Sequence, residues 1–297
     1  MNRRSFLKIA SSGIVLSVLP PRVFMPFISM SKVQSGAIRP GWNVTCSLQA
    51  LASHGTWIAE RSLELLVPDA WHAWGLWLYP NYPRRVPVIF NGRWWNRSET
   101  LRWMTDHPDA FWLFGNEIER PEQGFEPPHR AAELTGELIA QGLQANTVIR
   151  YAAGGNFIGR NEFDGLAWLT QYLIELDARD IPRPDKWSIH SYNSYDIETF
   201  RTSWSRWQEW YAIHGEGKPV IMSEGCAHER SVGAQIQIMD ELSTLLSDGL
   251  ESVFWFTAYR LPEDPWRNSA LCSIDTSAQT ASFTELGRHW KELQLIV

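Results

Sequence analysis

From Gly41 onward, short runs rich in Val, Ile, Phe and Trp alternate with longer stretches of helical period, and this alternation is what most narrows the folds open to the chain. The runs at 41–45, 73–79, 86–90, 110–116, 148–153, 187–192, 219–223 and 252–258 read as strands. They are short and apolar with little polar alternation, which suits strands covered by helices on a parallel sheet. Between them lie helix-like segments, the clearest at 128–144, 164–176, 197–214, 233–247 and 282–293. The first opens with Pro127-Pro128 and carries Ala131, Leu134, Leu138 and Ile139 at three-to-four spacing, the pattern of a helix lying on a sheet. Strands alternating with helices over about 260 residues predict an α/β single domain, a (β/α)8 TIM barrel, with function at the C-terminal strand ends. An open doubly wound sheet is the competitor, but no GxGxxG phosphate loop follows the first strand.

Residues 1–35 are expected to stand apart from that barrel, which occupies 36–297. Asn2-Arg3-Arg4-Ser5-Phe6-Leu7-Lys8 precedes an apolar stretch from Ile9 to Met30, broken by Pro20, Pro21 and Arg22. The paired arginines, Phe-Leu and Lys resemble a twin-arginine export signal. An ordinary secretory signal or an uncleaved membrane anchor is the alternative. Each implies export to the periplasm or the outside, with membrane contact only through this segment.

Charge and composition exclude several classes. The formal charge is -6 and the 27 Lys and Arg are scattered, so nucleic acid is not an expected partner. The three cysteines, Cys46, Cys226 and Cys272, form no CxxC, which leaves at most one disulfide and no zinc ribbon. Metal-dependent hydrolases on barrels use His-x-His at a strand end, and here the sixth strand offers His-x-Tyr; HExxH and the GxSxG elbow are missing too. No metal and no cofactor are therefore expected. The outlier is 17 Trp. Indole fills cores, and it also stacks on sugar rings while its N–H bonds a hydroxyl. Trp42, Trp77, Trp94, Trp95, Trp255 and Trp266, near strand ends, are the candidates for a carbohydrate groove.

Polar chemistry gathers at the strand ends. The fourth strand finishes at Asn116-Glu117, the sixth at His190-Ser191-Tyr192 and the seventh at Ser223-Glu224. By the two-residue period, Leu113, Gly115 and Glu117 share one face, and so do Val220, Met222 and Glu224; each acid thus follows apolar side chains inward. A carboxylate buried alone costs several kcal/mol or takes up a proton, so two at one barrel mouth point to use rather than packing. Cleavage of a glycosidic bond needs such a pair, one acid protonated to release the leaving oxygen and one ionised to attack the anomeric carbon.

In its order and spacing of strand-end residues, the sequence resembles the clan A glycoside hydrolases, where Asn-Glu ends strand four and a second Glu ends strand seven. Within that clan it is most similar to the small barrels of glycoside hydrolase family 128, through the run "GNEIERPEQGFEPPHRAAEL". The resemblance implies a retaining enzyme acting on a β-linked glycan, with β-1,3-glucan as the expected substrate. It makes Glu117 the general acid/base and Glu224 the nucleophile. Asn116 would bond the sugar 2-hydroxyl, Tyr192 would hold Glu224, His190 would line the subsite beside it, and Trp255 would be its stacking floor. The sequence departs from the pattern at Ile118, where Pro is usual, and at Gly225-Cys226. Asn156 in "GNF" is a further substrate-binding candidate, or the closing residue of a turn. Structural alternatives are ion pairs of Glu117 with Arg120 or Arg150 and of Glu224 with Arg230. The non-enzymatic alternative is an exported barrel that binds glycan without cutting it.

Overall fold

The computed structural model describes residues 38, 40–46, 55–74, 84–158, 165–192, 197–227, 231–264 and 267–295. The expected export signal, Trp77, Arg230 and Trp266 lie outside the described residues. The chain divides into units at Met1–Val33 and Gln34–Val297, and the barrel belongs to the second.

Nine strands form one parallel sheet: β1 Gly41–Thr45, β2 Trp71–His72, β3 Arg85–Val86, β4 Val88–Ile89, β5 Phe111–Phe114, β6 Arg150–Phe157, β7 Lys186–Tyr192, β8 Val220–Cys226 and β9 Leu250–Phe256. Their order is β3-β2-β1-β9-β8-β7-β6-β5-β4. The two edge strands of that order, β3 and β4, are halves of one run split by Pro87, whose missing N–H breaks the ladder while its carbonyl still accepts from Leu113 N at 2.9 Å. Counting that run once, the sheet is the expected eight-segment barrel, nearly closed on itself. The helices are α1 Trp57–Leu66, α2 Arg97–Asp106, α3 Pro128–Gln144, α4 Gly165–Ala178, α5 Ile197–His214, α6 Val232–Ser247 and α7 Glu285–Leu293. None of the described helices is long and apolar enough to cross a membrane.

Two apolar layers hold the barrel. Inside it, Val86, Val88, Phe111, Leu113, Ala152, Ile221 and Phe254 form one cluster with Ile38 and Ala70. Outside it, the alternate residues of the same strands pack against the helices: Trp112 and Phe114 of β5, Trp187 and Ile189 of β7, Val220 and Met222 of β8. The tryptophans serve mainly this outer layer, where Trp71, Trp112, Trp187, Trp207, Trp255 and Trp290 are among the largest fully buried side chains. Each large apolar side chain so buried contributes roughly 1.5–3 kcal/mol.

Helices α3 and α5 begin and end where the period predicts, because Pro128 at the first position of α3 and the aromatic stripe of α5 are strong local signals. Other boundaries move. A strand is described at Trp71–His72, while most of the expected run at 73–79, from residue 75 on, lies outside the described residues; β8 runs on to Cys226, past Glu224. The stretch at 282–293 is the end of a hairpin, β10 Cys272–Asp275 with β11 Thr280–Phe283, followed by α7. Thr284 caps that helix, its Oγ1 accepting from Gly287 N at 2.9 Å. α1 and α2, at ten residues each, are shorter than the helical stretches that stand out in the sequence.

Candidate active site

Glu117 reaches the mouth through a broken strand end. β5 stops at Phe114; Gly115 at φ 90° and Glu117 at φ 43° then turn the chain, the second a conformation that a residue with a Cβ adopts only when its surroundings hold it. The hold comes from β6: Glu117 N donates to Gly155 O at 2.9 Å. Gly155 itself has φ 49°, and a Cβ there would lie 2.9 Å from Gly115 O and 3.0 Å from His190 Nε2. Glycine is what lets β6 pass between the Glu117 turn and the His190 ring.

Glu224 is inward for a reason other than the expected alternation. Val220 and Met222 pack outward against the helices and Ile221 packs inside, the reverse of the expected assignment. The register then slips: Ile189 pairs with Met222 but His190 pairs with Glu224, and β8 fits one extra residue between Met222 and Gly225 against β9. This β-bulge at Ser223 resets the alternation, so Glu224 turns into the barrel. A Cβ at Gly225 would lie 2.6 Å from Met222 Sδ, as expected when the bulge puts both residues on the outer side.

The two carboxyls meet at His190. Its Nδ1 is 3.6 Å from Glu117 Oε1 and 3.6 Å from Glu224 Oε2, and one nitrogen or carboxylate oxygen from each of the three residues lies within 4.8 Å of the others. Tyr192, two residues along the same face of β7, donates its hydroxyl proton to Glu224 Oε2. All four side chains are buried, the acids 2% and 3% exposed. Arg120 Nη1 is 3.1 Å from Glu117 Oε2, so the structural partner foreseen for Glu117 is present alongside its place in the mouth.

Burial pushes the Glu224 carboxyl up to about 7; the nearby Glu117 charge adds to this, and His190, the Tyr192 hydroxyl and Arg260 oppose it. Burial pulls His190 down, but Glu224 and Glu117 outweigh it and leave the imidazole above its ordinary value. At Glu224 desolvation outweighs the neighbouring charges that favour ionisation.

Asn116 is beside Glu117, its Oδ1 accepting from Trp74 Nε1 at 2.7 Å, which leaves the amide Nδ2 to donate. Asn156 is fully buried on β6 and donates to Glu119 Oε2 at 3.0 Å, so it supports a third buried acid rather than closing a turn. Trp255 and Trp42 are corrections. Both belong to the outer layer, packed edge to face at 6.3 Å, with Trp255 fully buried and its Nε1 donating to Ser269 O. The aromatic beside the acids is the next residue, half-buried Phe256, whose ring is 5.4 Å from Tyr192 and 5.7 Å from Trp74, with the Arg260 guanidinium 4.6 Å above it. The period of two could have found it: Ser252, Phe254 and Phe256 share a face, and Phe254 lies in the inner cluster. Nothing in the local sequence marks Glu119 or Trp74. Trp95 is buried, its Nε1 on Thr100 Oγ1, whereas Trp94 is exposed. The cysteines are all free and buried.

Glu117, His190 and Glu224 are also the described group whose donor atoms could share a metal ion. Two contacts disfavour that use. Tyr192 already occupies Glu224 Oε2, and the Arg120 cation sits against Glu117, where a second cation would be repelled.

No family model and no curated protein matches the chain. Solved structures do. A glycoside hydrolase family 128 subgroup II endo-β-1,3-glucanase from Sorangium cellulosum aligns with TM-score 0.62 at 17% identity, covering 79% of this chain and 94% of that one. The subgroup I endo-β-1,3-glucanase of Amycolatopsis mediterranei, in complex with laminaritriose, gives 0.61 at 15% identity over 85% and 98%. A subgroup VI exo-β-1,3-glucanase from Aureobasidium namibiae gives 0.61 at 17% over 86% and 97%. The resemblance carried by the strand-end motifs and the likeness of the whole barrel thus point the same way: this chain has the fold of the family 128 glucanases of clan A.

Proposed function

We propose that the protein is a retaining glycoside hydrolase that cleaves β-1,3-glucan by double displacement. The observation that carries this is the meeting of Glu117, just past β5, and Glu224 of β8, three places away in the barrel order, with one oxygen of each within 4.8 Å of the other. Retaining enzymes hold their carboxyls about 5–5.5 Å apart, and inverting ones leave about 6.5–9.5 Å for a water. Glu224 attacks the anomeric carbon and Glu117 protonates the leaving oxygen, then removes a proton from the incoming water. Tyr192 orients Glu224 through its hydroxyl, and Asn116 Nδ2 donates to the sugar 2-hydroxyl. His190, placed between the acids, takes up the charge as the proton moves. Phe256 replaces Trp255 as the aromatic surface for the sugar. The linkage follows the fold likeness to β-1,3-glucanases.

A barrel that binds glycan without cutting it would need neither a second acid nor a tyrosine on it. The deciding experiment is incubation of the purified protein with laminarihexaose, reading product anomers by NMR. Release of the β anomer first supports the proposal; the α anomer first indicates inversion, and binding without turnover indicates the non-enzymatic barrel.

For residues 1–35 the proposal is the export signal that the Arg3-Arg4 motif resembles, placing the barrel outside the cytoplasm.

A further inference from the structure

The bulge that aims Glu224 is clamped from three strands. Its extra residue, Ser223, presents its carbonyl to β2, where His72 Nε2 is 2.6 Å away, and Thr45 Oγ1 of β1 is 3.5 Å from the same oxygen. The Ser223 hydroxyl is 2.5 Å from Ser188 Oγ on β7. A carbonyl only accepts, so His72 carries its proton on Nε2. The ring is buried between Trp74 and Phe254, and burial above all pulls its pKa down to about 3, against the Ser223 hydrogen bond; the imidazole is neutral at any working pH. None of the hydrogen bonds among the described residues joins it to Glu117 or Glu224. A neutral ring whose one N–H meets the carbonyl of the residue before Glu224, with Thr45 Oγ1 3.1 Å from the same nitrogen, acts on geometry and not on charge.

We propose that His72 is a positioning residue: by holding the Ser223 carbonyl it fixes the bulge that turns the Glu224 carboxyl into the barrel. A strand without the bulge keeps strict alternation, and Glu224 would then point outward with Val220 and Met222, toward α6. Thr45 and Ser188 restrain Ser223 as well, but the shortest bond to its carbonyl is that of His72. The role of Glu224 as nucleophile is taken from the proposed function; the control of its orientation is not.

The test compares wild type with His72→Leu, which removes the donor, and His72→Gln, whose amide can place an N–H near the position of Nε2. Two readouts are needed: kcat and KM on laminarihexaose, and the titration of the Glu224 carboxyl by carbon NMR, assigned with Glu224→Gln. His72→Leu should lower kcat about 100-fold, the scale of a displacement of roughly 1 Å at a reacting group, with KM within about threefold. Its Glu224 midpoint should move away from the wild-type value as the carboxyl leaves His190 and Tyr192. His72→Gln should recover at least tenfold of the lost kcat and return the midpoint. Equal losses in both variants, a loss confined to KM, or an unchanged midpoint in His72→Leu would overturn the proposal. Should the leucine variant not fold, His72→Asn, whose amide is too short to reach the carbonyl, takes its place. Absence of wild-type hydrolysis would defeat the proposed function alone, because the titration still reports the orientation of Glu224.

Discussion

Tyr192 and Glu224, on adjacent strands of the barrel, are joined by a hydrogen bond from the phenol to Oε2, while Oε1 of the same carboxyl takes no hydrogen bond among the described residues. One oxygen is thus oriented, and the other is left without a hydrogen bond, as the nucleophile role proposed above requires. Glu224→Ala should reduce turnover of β-1,3-glucan about 10⁴-fold or more, as removal of a covalent catalyst does elsewhere. Added azide should restore part of the rate by occupying the space of the carboxylate, yielding the α-glycosyl azide. Glycosyl azide of β configuration, or full activity of the variant, would contradict the role assigned to Glu224.

The pH dependence follows from the same carboxyl. A nucleophile must be ionised, and burial pushes Glu224 up to about 7 in the free protein. The ratio kcat/KM, which reports the free enzyme, should therefore rise with pH through about 7 rather than through the usual carboxylate range. Initial rates at low substrate from about pH 5 to 9 check this. A plateau already reached at pH 5 would show that the site ionises Glu224 more easily than its burial implies.

Stability should move in the opposite direction. A carboxyl near 4.5 in the unfolded chain and near 7 in the folded one binds more proton when folded, so folding loses stability as pH rises between these values. Glu224→Gln removes that loss. At pH 8 the variant should be more stable than wild type by up to about 3 kcal/mol, the gap closing toward pH 5. Thermal melts of both proteins across this range would show the converging curves, and parallel curves would refute the assignment.

Gly155 is where backbone and site are most tightly coupled. Gly155→Ala places a methyl 2.9 Å from Gly115 O and 3.0 Å from His190 Nε2 at φ 49°, so the Glu117 turn or the ring must shift. The expected result is a loss of about 1–3 kcal/mol in stability together with a fall in kcat. Denaturant unfolding and kinetics on one preparation measure both. Wild-type kcat in a folded variant would mean that the turn does not need the glycine.

Trp255 and Phe256 should separate packing from binding. Trp255→Ala empties a fully buried site in the outer layer and should cost about 3–5 kcal/mol, with any folded fraction keeping its KM. Phe256→Ala removes the half-buried ring beside Tyr192 and should raise KM or lower kcat with a smaller loss of stability. Unfolding curves and steady-state kinetics distinguish them, and the reverse pattern would restore Trp255 as the sugar platform.

The barrel was legible because its signals are local. Apolar runs of strand length, the proline-led start of α3 and the stripe of α5 each arise from residues close in the chain, and local periodicity reports them. Both acids were legible as polar residues ending apolar runs. The face of each side chain was less so. On β5 Leu113 lies on the inner face as expected, but the strand stops at Phe114 and Glu117 reaches the mouth through the turn that follows rather than through the alternation. On β8 the alternation named Glu224 as inward while assigning Val220 and Met222 to the wrong side, because a bulge had added a residue. On β9 the same period, applied from Phe254, would have selected Phe256; the preference for indole selected Trp255.

By itself, then, the sequence determined the (β/α)8 plan and the identities of Glu117, Glu224, His190 and Tyr192 as mouth residues, since these depend on composition and period along short stretches. Only the tertiary structure decided how they meet: that Ser223 bulges under the His72 hydrogen bond, that Gly155 makes room for the Glu117 turn, and that Trp42 and Trp255 face the helices. Those outcomes depend on register between strands far apart in the chain, and register is set by packing across the barrel, which no single stretch of sequence encodes.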